Sequence, residues 1–421
     1  MRTAVLLAGF CLTLMLLPSC GSGDGSSPDG AQGDEPAVLT FWHFWSEPTQ
    51  RRALDSVIAG FEAEYNCRVE KTELSWNDGK AKLLAAFNAG QAPDALELGS
   101  DWVAQFAGSG VLADLSGEGA DLNAYLPFTH RVAKNGAEIA AWPWVVDSRV
   151  IYYNRALLAQ AGLDADNPPR DFTGLVAAAE KINEIEGMYG FGVNGPDRNR
   201  LYKKILPLFW SSGGAIFGPG GVPNLNSPAN VKGLELYVST AQAGLVETQR
   251  QLDDAFIRGT IGIWMSGSWL LDRIAAENPS LDYGVMTMPA VDGNPGVSFA
   301  GGEYLAVNAK SAKSDLARKF VLWMCDGKHS LEWCKKVSSA GFPADTAYFA
   351  APWFSSRPHR ETFAAQLRSA RMTPVHPRWL DIQDVIEEAT VEALYGNKTA
   401  QASLNDAQAS VLDLLGMATQ K

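Results

Sequence analysis

The stretch Ala37 to Pro48 reads "AVLTFWHFWSEP", an apolar run that passes into closely spaced aromatics and a histidine and ends in polar residues and a proline. Its first half is a strand and its second half leaves the sheet, because "SEP" is too polar for a core strand. Working outward, Gln50 to Tyr65 carries Leu54, Val57, Ile58 and Phe61 on one face of a helix. "CRVEKTEL" is a second strand, Lys80 to Gly90 a second helix, "DALELG" a third strand, and Asp101 to Ser109 the helix after it. Strands that alternate with helices predict α/β layering over a parallel sheet. The strand-to-helix loops then gather at the carboxyl edge of that sheet, where ligands of open α/β sheets bind.

A second block opens at "WPWVVDSRVIYYNR", with helices predicted at Phe172 to Glu186, Arg200 to Ser211 and Ser227 to Ala243. "GTIGIWMSGSWLLDRI" reads as strand, turn and helix, "YGVMTMPA" as a strand, and the chain after "GGEYLAVNAK" as helices broken by "GFPAD". The single GxGxxG match, Gly190 to Gly195, has two of its glycines inside a strand pattern and no acidic residue about twenty positions on, so it reads as a glycine-rich strand end. No P-loop, HExxH or GxSxG occurs, and no Cys or His spacing resembles a zinc site.

The chain has 421 residues, 46% hydrophobic and 19% charged, enough for two domains with real cores. A formal net charge of -12 argues against a nucleic-acid partner, whose phosphates need clustered Lys and Arg. Residues 1–19 read as a signal peptide, with a basic start and an apolar run from Ala4 to Leu17 too short for a comfortable membrane span. Leu17-Pro18-Ser19-Cys20 resembles a bacterial lipobox, which implies lipid attachment at Cys20; the proline is an imperfect fit. Residues 20–35, rich in Gly, Ser and Asp, are expected to be a flexible tether. Cys325 and Cys334 flank a turn between two predicted helices, so an exported protein admits a bridge between them; two buried thiols are the other reading.

Several segments together resemble the extracellular solute-binding proteins of bacterial ABC importers, the family that includes maltose-binding and glycerol-3-phosphate-binding proteins. They are "LTFWHFWSEP", "FNAGQAPDALELGSDWVAQFAGSGVLADL", "WPWVVDSRVIYYNRALLAQAGL" followed by "PPRDF", "FIRGTIGIWMSGSW", "FAGGEYLAVNAKS" and "GFPAD", in this order. The resemblance implies a periplasmic-binding-protein-like type II fold, two α/β lobes joined by a hinge with the ligand cleft between them. Crossings are expected near Val145 to Ser148, Phe299 to Tyr304 and Phe342 to Asp345. One lobe is then residues 36–146 plus 304–343, the other 147–303 plus 344–421. It also implies a monomer that needs no cofactor or metal, serves ABC permease subunits, and touches the membrane only through its lipid.

A sugar offers hydroxyls and a weakly apolar C–H face, so its site needs flat aromatics and charge-assisted hydrogen-bonding groups. The chain has 13 tryptophans, many at predicted strand ends. On the resemblance, Asp101 at the start of a helix contacts ligand, beside Ser100 and Trp102; an aspartate there is also an ordinary N-cap. Asp147 matches a carboxylate that meets sugar hydroxyls, with a hinge ion pair as the alternative. Trp142 and Trp144 alternate onto one side of an extended chain and either line the cleft or cap a core. Trp269 follows a glycine at the place of a stacking aromatic, whereas Trp264 belongs to the core.

Gly301, Gly302, Glu303 and Tyr304 form a crossing that either admits ligand to bare backbone or serves as hinge. Trp76 and Asn77 align with contacts in one branch, and Trp379 is a candidate from the other lobe. Alternation separates Trp42 and Phe44 from His43 and Trp45; the resemblance favours His43, Trp45, Ser46 and Glu47 as cleft-facing. These segments are short of Arg and Lys, which favours a neutral di- or oligosaccharide over a sugar phosphate. A glycoside hydrolase would also combine tryptophans with carboxylates. It needs two carboxyl groups about 5 to 9.5 Å apart, a pairing no motif here supplies.

Overall fold

A computed structural model describes residues 36–117, 121–197, 199–349 and 351–417. The signal peptide, the tether and Cys20 lie outside the described residues. The first strand, Ala37–His43, pairs in parallel with Cys67–Glu73 on one side and with Ala95–Gly99 on the other. The helices between them, Pro48–Tyr65 and Gly79–Ala89, turn the chain back, as βαβ crossovers must. Leu54, Val57, Ile58 and Phe61 of the first helix are all buried, the stripe their spacing predicts.

Two further strands run against this parallel core. Ser298–Val307 pairs antiparallel with Ala95–Gly99 and with Trp142–Ser148, and Phe342–Pro343 adds to Trp142–Ser148. With the short strand Ala370–Arg371 they complete a seven-stranded sheet. A five-stranded sheet is built from Val150–Asn154, Tyr189–Asn194, Gly244–Glu247, Ile261–Ser266 and Tyr283–Met286. Two sheets, each with its own helices, make the two lobes. Residues Ser148 to Val150 pass directly from one sheet to the other, and Gly301 and Phe342 pair with Asp147 and Val146 just before that passage.

The helices Trp379–Leu394 and Ala400–Leu414 pack on each other and on Pro228–Gln242, so the chain ends on the five-stranded side. Gly190 and Gly192 lie inside their strand; a Cβ on Gly190 would stand 1.9 Å from the Ala179 carbonyl oxygen. That glycine lets helix Phe172–Asn183 approach the sheet and is no phosphate loop. Cys325 and Cys334 are both buried and unbridged, which corrects the disulfide reading. Cys325 ends one helix with its Sγ 3.7 Å from the Trp142 carbonyl oxygen, while Cys334 is buried in the next helix.

Among the described residues no helix is long and apolar enough to cross a membrane, and no group of three or more His, Cys, Asp or Glu could hold a metal ion.

Candidate functional site

Beyond Trp42 the chain leaves the first strand, and two side chains shape that exit. Glu97 Oε2, fully buried, accepts from the Phe44 N–H at 2.9 Å, and His43 Nδ1 accepts from the Trp45 N–H at 3.3 Å. Phe44 is thereby turned onto Trp76, stacked at 4.2 Å, and edge-on to Trp102 at 5.4 Å. Trp45 turns the other way and closes edge-on over Trp333 at 5.1 Å.

The result is a cavity of about 360 Å³ lined by Trp45, Trp76 and Trp102 on the seven-stranded side and by Trp269 on the five-stranded side. Asn77, Asp101, Arg149, Lys203, Gln249 and Glu303 supply its polar wall. A deeper recess of about 100 Å³ shares several of these residues and is floored by Gly99, Ser100, Gly301 and Gly302, with Asp147 at its side. A volume of this order, mixing flat rings with a few polar groups, is what small-molecule sites have.

The two lobes touch across this cavity. Asp101 Oδ2 accepts from the Tyr202 hydroxyl at 3.2 Å, a bond from one side to the other. Asp101 makes no capping bond to the helix Val103–Gly108. Asp147 Oδ2 accepts from the Ser268 N–H at 3.0 Å and lies 3.7 Å from Arg149 Nη1. The Arg149 guanidinium in turn sits 4.5 Å from the centre of the Trp269 ring. Asp147 Oδ1 is buried with no protein partner, an acceptor left for whatever enters.

Burial raises the Asp147 carboxyl and lowers the Arg149 guanidinium, so for both the loss of water outweighs their mutual attraction. Lys203 is lowered for the same reason. Glu303 is pushed up to about 8, by burial first and then by the nearby Asp147 charge. At neutral pH it holds its proton and can donate as well as accept. Its folded-state value exceeds the ordinary 4.5, so this group's stability contribution is complete below pH 4.5 and is lost as pH rises to about 8. Glu303→Gln cannot titrate. The unfolding midpoint of the wild type, relative to that variant, is therefore expected to fall between pH 5 and 8 and to level off by pH 9. A difference that stays constant with pH would show that Glu303 ionises normally.

Some expected residues lie elsewhere. His43 is buried against Phe41 at 5.5 Å, and burial lowers its imidazole to about 4, so it is a neutral core residue. Ser46 and Glu47 are exposed and are not among the cavity-lining residues; Glu47 instead forms a capping box with Gln50. Trp142 packs edge-on to Tyr125 at 5.9 Å. Trp144 stacks on Trp333 at 5.3 Å and is fully buried.

The reason is a β-bulge. Glu303 faces Val145 and Tyr304 faces Pro143, so Trp144 is the extra residue and simple alternation breaks. On the unbulged partner strand ordinary alternation aims Glu303 at the cavity and Tyr304 into the core, where its hydroxyl donates to the Thr129 carbonyl at 3.3 Å. Trp379 is buried beneath the wall, edge-on to Tyr202 at 5.9 Å.

Four basic residues on the wall were not expected: Arg149, Arg200, Lys203 and Lys204. Arg149 stands between the strands Trp142–Ser148 and Val150–Asn154, two residues after Asp147, at the passage from one sheet to the other. Lys204 had a local signal, falling between Leu201 and Leu208 on the apolar stripe of its helix. Its ammonium donates to the Met265 carbonyl and lies 4.3 Å from the Trp264 ring centre.

Residues 45–325 match the family described as bacterial extracellular solute-binding protein. The chain belongs to that family. This solute-binding protein is 30% identical to the diacetylchitobiose-binding protein DasA of Streptomyces coelicolor over 341 residues, 76% of this chain and 77% of the relative. It is 22% identical to the maltodextrin-binding protein MdxE of Bacillus subtilis, covering 96% of this chain and 95% of that one. Its fold is that of the GacH receptor of Streptomyces glaucescens, solved unliganded and with acarbose. The TM-score is 0.81 at 23% identity, covering 90% of this chain and 99% of that chain. A binding protein for cyclic α-maltosyl-1,6-maltose from Arthrobacter globiformis superimposes with a TM-score of 0.79 at 23% identity, over 91% of this chain and all of that chain. The family and these neighbours are substrate-binding proteins and not enzymes.

Proposed function

We propose that this solute-binding protein captures a carbohydrate of two or more rings in the cavity between its lobes and hands it to the permease of an ABC importer. The observation that carries this reading is the wall itself: Trp45, Trp76 and Trp102 face Trp269 across about 360 Å³, with Asp101, Asp147 and Glu303 between them. Rings offer stacking area at little entropic cost, and the carboxyl groups pair with hydroxyls. Closure brings residues 36–146 and 304–343 against 147–303 and 344–421, with the hinge at the adjacent crossings near Ser148, Gly301 and Phe342. Opening would break the Asp101–Tyr202 bond, so ligand and lobe contacts close the cleft together.

The cations of the wall are largely matched from within, which keeps a neutral sugar the favoured ligand. Arg149 faces Asp147, Arg200 lies 3.7 Å from Asp197, and Lys204 donates to a carbonyl. Lys203 has no carboxylate within ion-pair distance among the described residues, and that observation favours an acidic sugar as second reading. Lipid attachment at Cys20 would hold the protein at the membrane.

One purification tests all three statements. A panel of neutral and acidic glycans is expected to give a saturable thermal shift with a neutral member and no product. A shift with acidic glycans alone selects the second reading, and turnover of any glycan refutes a pure binding role. Cys20→Ser is expected to release the protein from the membrane fraction; retention there refutes the anchor.

A further inference from the structure

Behind the cavity wall on the five-stranded side lies a carboxylate that is not among the lining residues. Asp253, on helix Gln249–Ile257, is only 3% exposed and takes four donors. Its Oδ1 accepts from Trp264 Nε1 at 2.8 Å, Ser266 Oγ at 3.0 Å and Gln249 Nε2 at 3.0 Å. Its Oδ2 accepts from Trp269 Nε1 at 2.9 Å. Trp264 and Ser266 are buried in their strand, but Trp269 and Gln249 line the cavity.

Trp269 is the first residue of its helix and is only partly covered by its surroundings. Its indole has one polar atom, and Asp253 holds it. The far side of the ring lies over bare backbone, since a Cβ on Gly267 would stand 1.9 Å from a benzo carbon. A ring fixed at both its nitrogen and its benzo edge presents one plane. Without the Asp253 bond, the indole at a helix start keeps rotamers that the ligand must then freeze.

We propose that Asp253 is a positioning residue for ligand recognition: through Oδ2 it sets the plane of Trp269, without touching the ligand. The inference rests on the reading of Trp269 as a sugar platform. It separates from a purely structural carboxylate because Oδ2 serves Trp269 alone, whereas the fold-holding donors share Oδ1.

The test combines a ligand-free and a ligand-bound arm, with maltose and diacetylchitobiose as probes. In protein carrying ¹⁵N-tryptophan, the Trp269 indole resonance is identified by its absence in Trp269→Phe. In Asp253→Asn its hydrogen exchange is expected to accelerate at least tenfold. Affinity for the probe that binds is expected to fall about tenfold in Asp253→Asn and by less than twofold when the same change is made in Trp269→Phe.

If Asp253→Asn does not fold, benzothienylalanine at position 269, which replaces the N–H by sulfur and keeps the ring, is expected to cost about tenfold. Unchanged indole exchange, equal losses in both backgrounds, or wild-type affinity with the sulfur analogue would each overturn the assignment. If neither probe binds the wild type, the choice of sugar has failed, while the indole arm still decides the role of Asp253.

Discussion

Replacing Trp144 by alanine is expected to destabilise the protein by about 3–5 kcal/mol, the cost of deleting a large buried aromatic. Trp144 has no exposed surface, stacks on Trp333 at 5.3 Å and meets Trp45 edge-on at 6.1 Å. Nothing nearby can collapse into the space, because Trp333 is itself fully buried and Trp45 is tied to the cavity wall. The measurement is the urea midpoint at constant slope. An unchanged midpoint with lost sugar binding would return Trp144 to the cleft.

Trp269→Ala is expected to act chiefly on binding, weakening it tenfold or more, about 1.4 kcal/mol at the least, with a smaller loss of stability than Trp144→Ala. The ring stands partly exposed in the cavity and faces Trp45, Trp76 and Trp102 across it. Its loss removes the only tryptophan among the described residues that line the cavity from the five-stranded side. Calorimetric titration with the sugar found by the panel decides it, and wild-type affinity would mean that the ligand sits elsewhere. The two variants together divide the tryptophans into those that hold the fold and those that meet the solute.

The pH behaviour of Glu303 belongs to the same division. Its carboxyl shares a cavity with Asp101 and Asp147, and three carboxylates cannot all be charged there without strong repulsion. Keeping one proton at neutral pH gives the site a donor among acceptors, useful against sugar hydroxyls, which are both.

Much of this architecture was legible in the sequence. Period-two and period-3.6 patterns depend on local burial, so Ala37–His43, Pro48–Tyr65, Cys67–Glu73 and Ala95–Gly99 follow from the residues almost to their ends. Loops at the carboxyl edge of parallel strands follow as well, and with them the cleft position of Trp45, Trp76 and Asp101. Trp264 is core and Trp269 is on the wall because a strand ends between them at Ser266.

Tertiary structure decided what local pattern cannot carry. One bulge, at Trp144, breaks the alternation of its strand, and a bulge arises from pairing between strands about 160 positions apart in the chain. Two of the basic groups of the wall, Lys203 and Lys204, come from Tyr202–Ser211, and the Lys204 ammonium is covered by the Met265 carbonyl and the Trp264 ring of a strand about 60 positions away in the chain. Asp253 is one of two adjacent aspartates in sequence, and only the fold shows that four donors converge on it. Sequence determined which elements form and where their edges meet. Only packing, which brings distant segments into van der Waals and hydrogen-bond range, decided which ring faces water, which faces core, and which carboxyl keeps its proton.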